Sequence, residues 1–176
     1  MFDVDQIKDL FRALNRELAR RDVVGEVGIC GGAVMCLVFQ ARRATKDVDG
    51  IFHPTGEIRE AARRVADERG IPRDWLNDAA KAFFHVDPPR EDVLSFSNLR
   101  VWAPSAEYML AMKCISARFD ALDRDDVTFL IRYLRLPTAD EVFAIVVRYY
   151  PHRLIPPKTQ FLVEEIFDEG VVRWPG

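Results

Sequence analysis

Two carboxylates stand two residues apart in "TKDVDGIF", Asp47 and Asp49, with the apolar Val48 between them and a hydrophobic run after them. On an extended strand, residues i and i+2 point to the same side, so both acids face one place while Val48 turns to the core. Two such charges repel unless a cation joins them. A hard divalent ion such as magnesium does so, and it keeps waters and takes phosphate oxygens as further ligands. A pair of solvated acids at a strand end is the other reading of an isolated Asp-x-Asp. Upstream, Gly31-Gly32 follows the short segment "GEVGIC" and opens the apolar run "AVMCLVF". Absent side chains there let a phosphate approach the backbone, and a helix N-terminus supplies free N–H groups with a positive partial charge. A tight strand-to-helix turn needing glycine torsions is the alternative. Neither a Walker loop nor a dinucleotide fingerprint matches the spacing. Taken together, a phosphate cradle after one strand and a two-acid clamp on the next describe a metal–nucleotide site.

Other residues of suitable chemistry surround these. Lys113 stands in an apolar helix between Met112 and Cys114. A buried lysine is unfavourable unless paired. It serves either as a point charge for phosphate and for charge developing in a transition state, or as a lysine whose ammonium reaches water along its stem. Asp123 and Asp126 are three apart, on one face of a helical turn, where acids also cap a helix and suit its dipole. Arg42, Arg43 and Lys46 precede the acids and suit phosphates or an RNA backbone; a solvated face is the alternative. Trp75 and Asn77 suit either contact with a base or an aromatic anchor between layers. His53, His85 and His152 are scattered and suggest no site.

These residues resemble the nucleotidyltransferase superfamily, the polymerase-beta-like fold. In that family the glycine turn holds the triphosphate and the Asp-x-Asp strand binds magnesium or manganese. The 14 residues between Gly32 and Asp47 form a long version of the family's gap. "YMLAMKCISARFDALDRDDVTFL" resembles the second motif pair of the bacterial abortive-infection nucleotidyltransferase toxins and their small stand-alone relatives. Lys113 falls on the lysine of that pair, and Asp123 and Asp126 on its Asp-x-x-Asp. "RATKDVDGIF", "DWLNDAAK" and "AEYMLAMK" resemble an actinobacterial nucleotidyltransferase-like group of unknown function, so the likeness covers about residues 5 to 165. It implies a catalytic set of Asp47, Asp49, Lys113, Asp123 and Asp126. The implied metal ligands are Asp47 and Asp49, and the implied nucleotide contacts are Gly31, Gly32, Arg43 and Thr45. It further implies a nucleoside triphosphate as donor, a tRNA end as acceptor and a cognate antitoxin as partner; a protein hydroxyl or a small molecule is open as acceptor. One departure stands out. Many members carry a third carboxylate on a later strand as general base. The corresponding "NLRVWAP" has none, and Asp87, Glu91 and Asp92 read as loop. Asp123 or Asp126 takes that role, or the protein binds nucleotide without turning it over.

The elements that must position these residues follow from periodicity. Ile7, Leu10, Phe11, Leu14 and Leu18 mark a helix over 3–21, capped by Asp3 or Asp5. "GEVGIC" and "KDVDGIF" read as strands, and 32–42 as a buried helix. Ile58, Ala61, Ala62 and Val65 mark a helix over 56–69, stopped by Gly70. "PRDWLNDAAKAF" reads as a short helix opened by Asp74, and "FFHV", "VLSF" and "LRVW" as short strands. From Pro104, placed in a first helical turn, the texture is helical: a first helix with the stripe Tyr108, Met112, Ile115 and Phe119, a second over about 123–134, a third opened by the Thr138–Glu141 box, and a fourth from "PPKTQ". The expected fold is therefore α/β (α+β): a nucleotidyltransferase-type mixed β-sheet core flanked by helices over 1–103, and a helical C-terminal half over 104–176 packed on it as a single compact unit. A cleft between them would hold the site.

The chain of 176 residues is 49% hydrophobic and 30% charged, enough to bury a core and remain in solution, and its net charge of −3 argues against a bulk nucleic-acid binder. Cys30, Cys36 and Cys114 are an odd number in apolar surroundings and read as free thiols of a reducing cytoplasm. The acidic N-terminus does not resemble a secretion signal, and no apolar run reaches the roughly 18 residues needed for a membrane span.

Overall fold

A computed structural model describes residues 1–117 and 121–172. The fold is mixed α/β. By its internal contacts the chain divides into two units, Met1–Ala82 with Arg90–Pro104, and Phe83–Pro89 with Ser105–Gly176.

The first unit opens with a two-residue strand β1 (Phe2–Asp3) and the helix α1 (Val4–Arg20). Asp3 caps α1 in a reciprocal box: its carboxylate accepts from Gln6 N at 2.8 Å, and its own N–H donates to Gln6 Oε1 at 2.9 Å. The apolar stripe Ile7, Leu10, Phe11, Leu14 and Leu18 is buried. Then follow β2 (Gly25–Cys30), the helix α2 (Gly31–Leu37), the short β3 (Ala44–Thr45) and β4 (Val48–His53). The helix α3 (Thr55–Arg69) buries Ile58, Ala61, Ala62, Val65 and Ala66 and ends at Gly70, whose φ of +64° is the left-handed stop that glycine permits. The strands β5 (Leu76–Asn77), β6 (Arg90–Ser95) and β7 (Leu99–Pro104) complete the unit.

The main sheet has the order β5-β4-β2-β7-β6. β2 runs antiparallel to β4 and parallel to β7, with Cys30 opposite Asp49 and Gly28 opposite both Ile51 and Trp102. Val27, Ile29, Val48, Leu99, Val101 and Ala103 alternate onto one buried face, and α1 and α3 pack together behind it, α1 against β7 and α3 against β4. The other face carries Glu26, Gly28 and Cys30 of β2, Asp49, Ile51 and His53 of β4, and Arg100 and Trp102 of β7. A separate two-stranded sheet pairs β1 with β3, Phe2 opposite Thr45.

The second unit is built on α4 (Ala106–Ser116), which packs against α5 (Ala121–Tyr133), α6 (Ala139–Tyr149) and α7 (Pro157–Asp168). Residues Tyr108 to Ile115 are all buried, so α4 is the unit's core helix. Thr138 caps α6, its Oγ1 accepting from Glu141 N. The segment 83–89 is tied to the unit by Tyr108 Oη donating to Val86 O at 3.1 Å and Tyr150 Oη to Phe83 O at 2.6 Å.

Several local expectations are corrected. The segment expected as a helix from Asp74 is instead a turn, the strand β5 and a 3-10 turn over Ala79–Phe83. Tertiary contacts override its propensity there. Trp75 is 1% exposed and donates its Nε1–H to Ala62 O at 3.0 Å, while Leu76 and Asn77 pair with Val48 and Asp49. "FFHV" forms no strand. Pro104 ends β7, and Ser105 caps α4 in its place, accepting from Tyr108 N. α2 stops at Leu37, five residues early, where the chain turns through Gln40 with φ of +52°. Glu91 and Asp92 lie on β6, not in a loop.

Candidate functional site

The acid pair sits where β4 begins. Val48 is buried, as alternation requires, and Asp49 is half-buried on the opposite face. Asp47 lies one residue before the strand, in a bend, and is also half-buried. Its backbone carbonyl accepts from Thr45 Oγ1 at 3.1 Å. Both carboxylates are therefore reached by solvent but not fully hydrated.

Gly31 and Gly32 are the first two residues of α2, directly after β2. Gly31 has φ of +59°, a left-handed value that strains any other residue. A Cβ at Gly31 would lie 3.3 Å from Asp49 Oδ2. The glycine turn and the acid strand thus meet, as the register Cys30 opposite Asp49 requires. A Cβ at Gly32 would overlap the Thr45 hydroxyl and lie 3.6 Å from Arg42 Nη1. So Arg42, half-buried, has its guanidinium beside the turn, whereas Arg43 is exposed. Thr45 is buried at 6% exposure.

Lys113, Asp123 and Asp126 come together within the second unit. Lys113 Nζ lies 3.0 Å from Asp123 Oδ1 and 2.7 Å from Asp126 Oδ2, with Lys113 and Asp126 buried. The ammonium does not reach out along its stem to water; it joins α4 to α5.

A general base on the sheet is not evident. β7 carries no acid, and on β6 Asp92 receives a two-pronged bond from Arg100, at 2.8 Å and 3.1 Å. That guanidinium holds the Asp92 carboxyl below its ordinary range, which weakens it as a proton acceptor. Burial pushes the Cys114 thiol up to about 12, so it stays neutral and unreactive.

One feature of the acid-bearing face was not read from the sequence. Trp102 lies flat over Gly28, where a Cβ would overlap the indole. Arg90 covers the ring's other side at 4.4 Å, and Glu26 Oε1 accepts from both Trp102 Nε1 at 2.8 Å and Arg90 at 2.7 Å. A glycine inside a strand is the signal for such close approach.

The donor set suits a hard, partly hydrated ion. Among the described residues no group of three or more His, Cys, Asp or Glu side chains is placed to hold a metal. A closed structural zinc site is therefore absent there, whereas Asp49 beside the Gly31 turn, with Asp47 two residues before it, is the hard-oxygen donor type that magnesium takes together with water and phosphate oxygens.

No family model, no curated protein and no solved structure matches this chain. No helix among the described residues is long and apolar enough to cross a membrane.

Proposed function

We propose that the protein is a magnesium-dependent nucleotidyltransferase, moving a nucleoside monophosphate from a nucleoside triphosphate to an acceptor hydroxyl. The observation that carries this reading is the meeting of Gly31 and Asp49, with Asp49 Oδ2 3.3 Å from the place a side chain on Gly31 would fill. Asp47 and Asp49 would hold the metal. The Gly31 turn leaves room for phosphate oxygens, and the Arg42 guanidinium beside Gly32 supplies the opposite sign of charge. A bound magnesium ion would neutralise phosphate charge and polarise the phosphorus under attack. The acceptor hydroxyl loses its proton to water and its oxygen bonds to the α-phosphorus as the bond to pyrophosphate breaks, chemistry that depends mainly on positioning and charge. A tRNA end is the proposed acceptor and an antitoxin the proposed partner, on the resemblance to the toxin branch; a protein hydroxyl or a small molecule is the alternative acceptor.

A second reading has its own observation. Asp92 is tied to Arg100 and β7 has no acid, which favours a module that binds nucleotide and metal without transfer. Incubation with magnesium, each labelled nucleoside triphosphate and total tRNA separates the two. Label on RNA or protein that disappears in Asp49→Ala supports the transferase. Tight binding without transfer supports the module. No binding of any nucleotide in the presence of magnesium overturns both.

A further inference from the structure

Resting on the functional reading above, we infer that Thr45 is a positioning residue which locks the Asp47 segment onto the first turn of α2, and is not itself a nucleotide contact. Three observations meet at this side chain. Its hydroxyl donates to the Asp47 carbonyl at 3.1 Å. Its oxygen occupies the space a side chain on Gly32 would need, and its own Cβ lies 3.2 Å from that position. Its backbone is paired with Phe2, itself buried, in the small sheet of β1 and β3. One residue therefore ties together the glycine turn, the peptide of the first acid and the strand at the N-terminus.

The chemistry of the hydroxyl decides against a direct phosphate role. A threonine hydroxyl has a single proton to donate, and phosphate oxygens only accept. While that proton lies on the Asp47 carbonyl, Thr45 has nothing to offer a phosphate. Gly32 then has a reason other than ligand approach: Thr45 needs its space. The bond to the Asp47 carbonyl fixes the bend over 46–48 and so the direction of the Asp47 side chain, as an outer partner fixes a metal ligand.

The test uses Mn²⁺ in place of magnesium, its binding followed by electron paramagnetic resonance, on the full chain. Thr45→Val keeps the shape and removes the donor; Mn²⁺ affinity should fall about 10-fold, at the low end for lost outer partners. Thr45→Ser keeps the donor and should restore binding. Metal-free inorganic tripolyphosphate should bind Thr45→Val and wild type alike. A stability cycle tests the wedge separately: Gly32→Ala should lower Tm, and adding Thr45→Ala should recover part of the loss, a non-additive result expected of touching groups. Unchanged Mn²⁺ affinity in Thr45→Val, lost tripolyphosphate affinity in the same variant, or an additive cycle overturns the inference. Wild type that binds no Mn²⁺ overturns the functional reading and Thr45's part in it, and the cycle then decides the wedge alone.

Discussion

Replacing Lys113 by methionine removes a cation that pairs with two carboxylates. Asp126 is 3% exposed and Asp123 17%, with Nζ at 2.7 Å and 3.0 Å from them. Breaking a buried pair by removing one partner costs about 3–5 kcal/mol, because the remaining charge is buried and uncompensated. Asp123 is near enough to the surface to regain water, which places Lys113→Met at the lower end, about 3 kcal/mol. Lys113→Met with Asp126→Leu leaves no fully buried charge and should stand within about 1 kcal/mol of wild type, since apolar replacement of a buried ion pair is often neutral. Asp123→Asn should cost least, because Asp123 is the more exposed of the two acids and Lys113 keeps its pair with Asp126. Urea unfolding followed by far-UV circular dichroism measures all three. A Lys113→Met variant within about 1 kcal/mol of wild type, or a double variant no more stable than that single one, would refute the claim that the ammonium holds α4 to α5.

Three further outcomes are expected. Gly28→Ala forces a Cβ into the Trp102 indole and should cost about 1–3 kcal/mol in urea unfolding; an unchanged midpoint would show that the ring does not lie where described. Cys114 keeps its proton to about pH 12 when folded and loses it near pH 9 when unfolded, so the folded state binds more protons between these values. Its contribution is complete below about pH 9 and declines above it, and Cys114→Ala should flatten the fall in stability from about pH 9 upward, read by urea midpoints at each pH. Arg42→Gln should weaken binding of inorganic tripolyphosphate by about 10-fold, the value of one charge-assisted hydrogen bond at about 1.5 kcal/mol, while Arg43→Gln leaves it unchanged; the reverse order would move the phosphate contact to the exposed arginine.

The helices were legible where one signal sufficed. The 3.6-residue stripe from Ile7 to Leu18 and the Asp3 box place α1, and Gly70 ends α3 as its sequence position implies. What was not legible depended on partners distant in the chain. Trp75 and Leu76 stand in a helix-like run but are claimed by Ala62 O and by β4. Thr45 reads as part of an acid motif, yet its neighbours Phe2 and Gly32 are 43 and 13 residues away in sequence. Lys113 reads as a phosphate contact or as a lysine reaching water until α5 brings two acids to it. Residue type shows that a group needs a partner; only the fold shows which partner it has.

The two glycines that first suggested a phosphate cradle do different work. Gly32 is filled from within, by the Thr45 hydroxyl. Gly31 alone combines a positive φ with an acid at its open side. α2 is only seven residues long, so its dipole adds little that a longer helix would not add better. A ligand bound there would be held chiefly by opposite charges set close together, Asp49 at Gly31 and Arg42 at Gly32. On the proposed reading, a metal–phosphate complex presents its cation to Asp49 and its anionic oxygens to Arg42, so each charge at this turn meets its opposite.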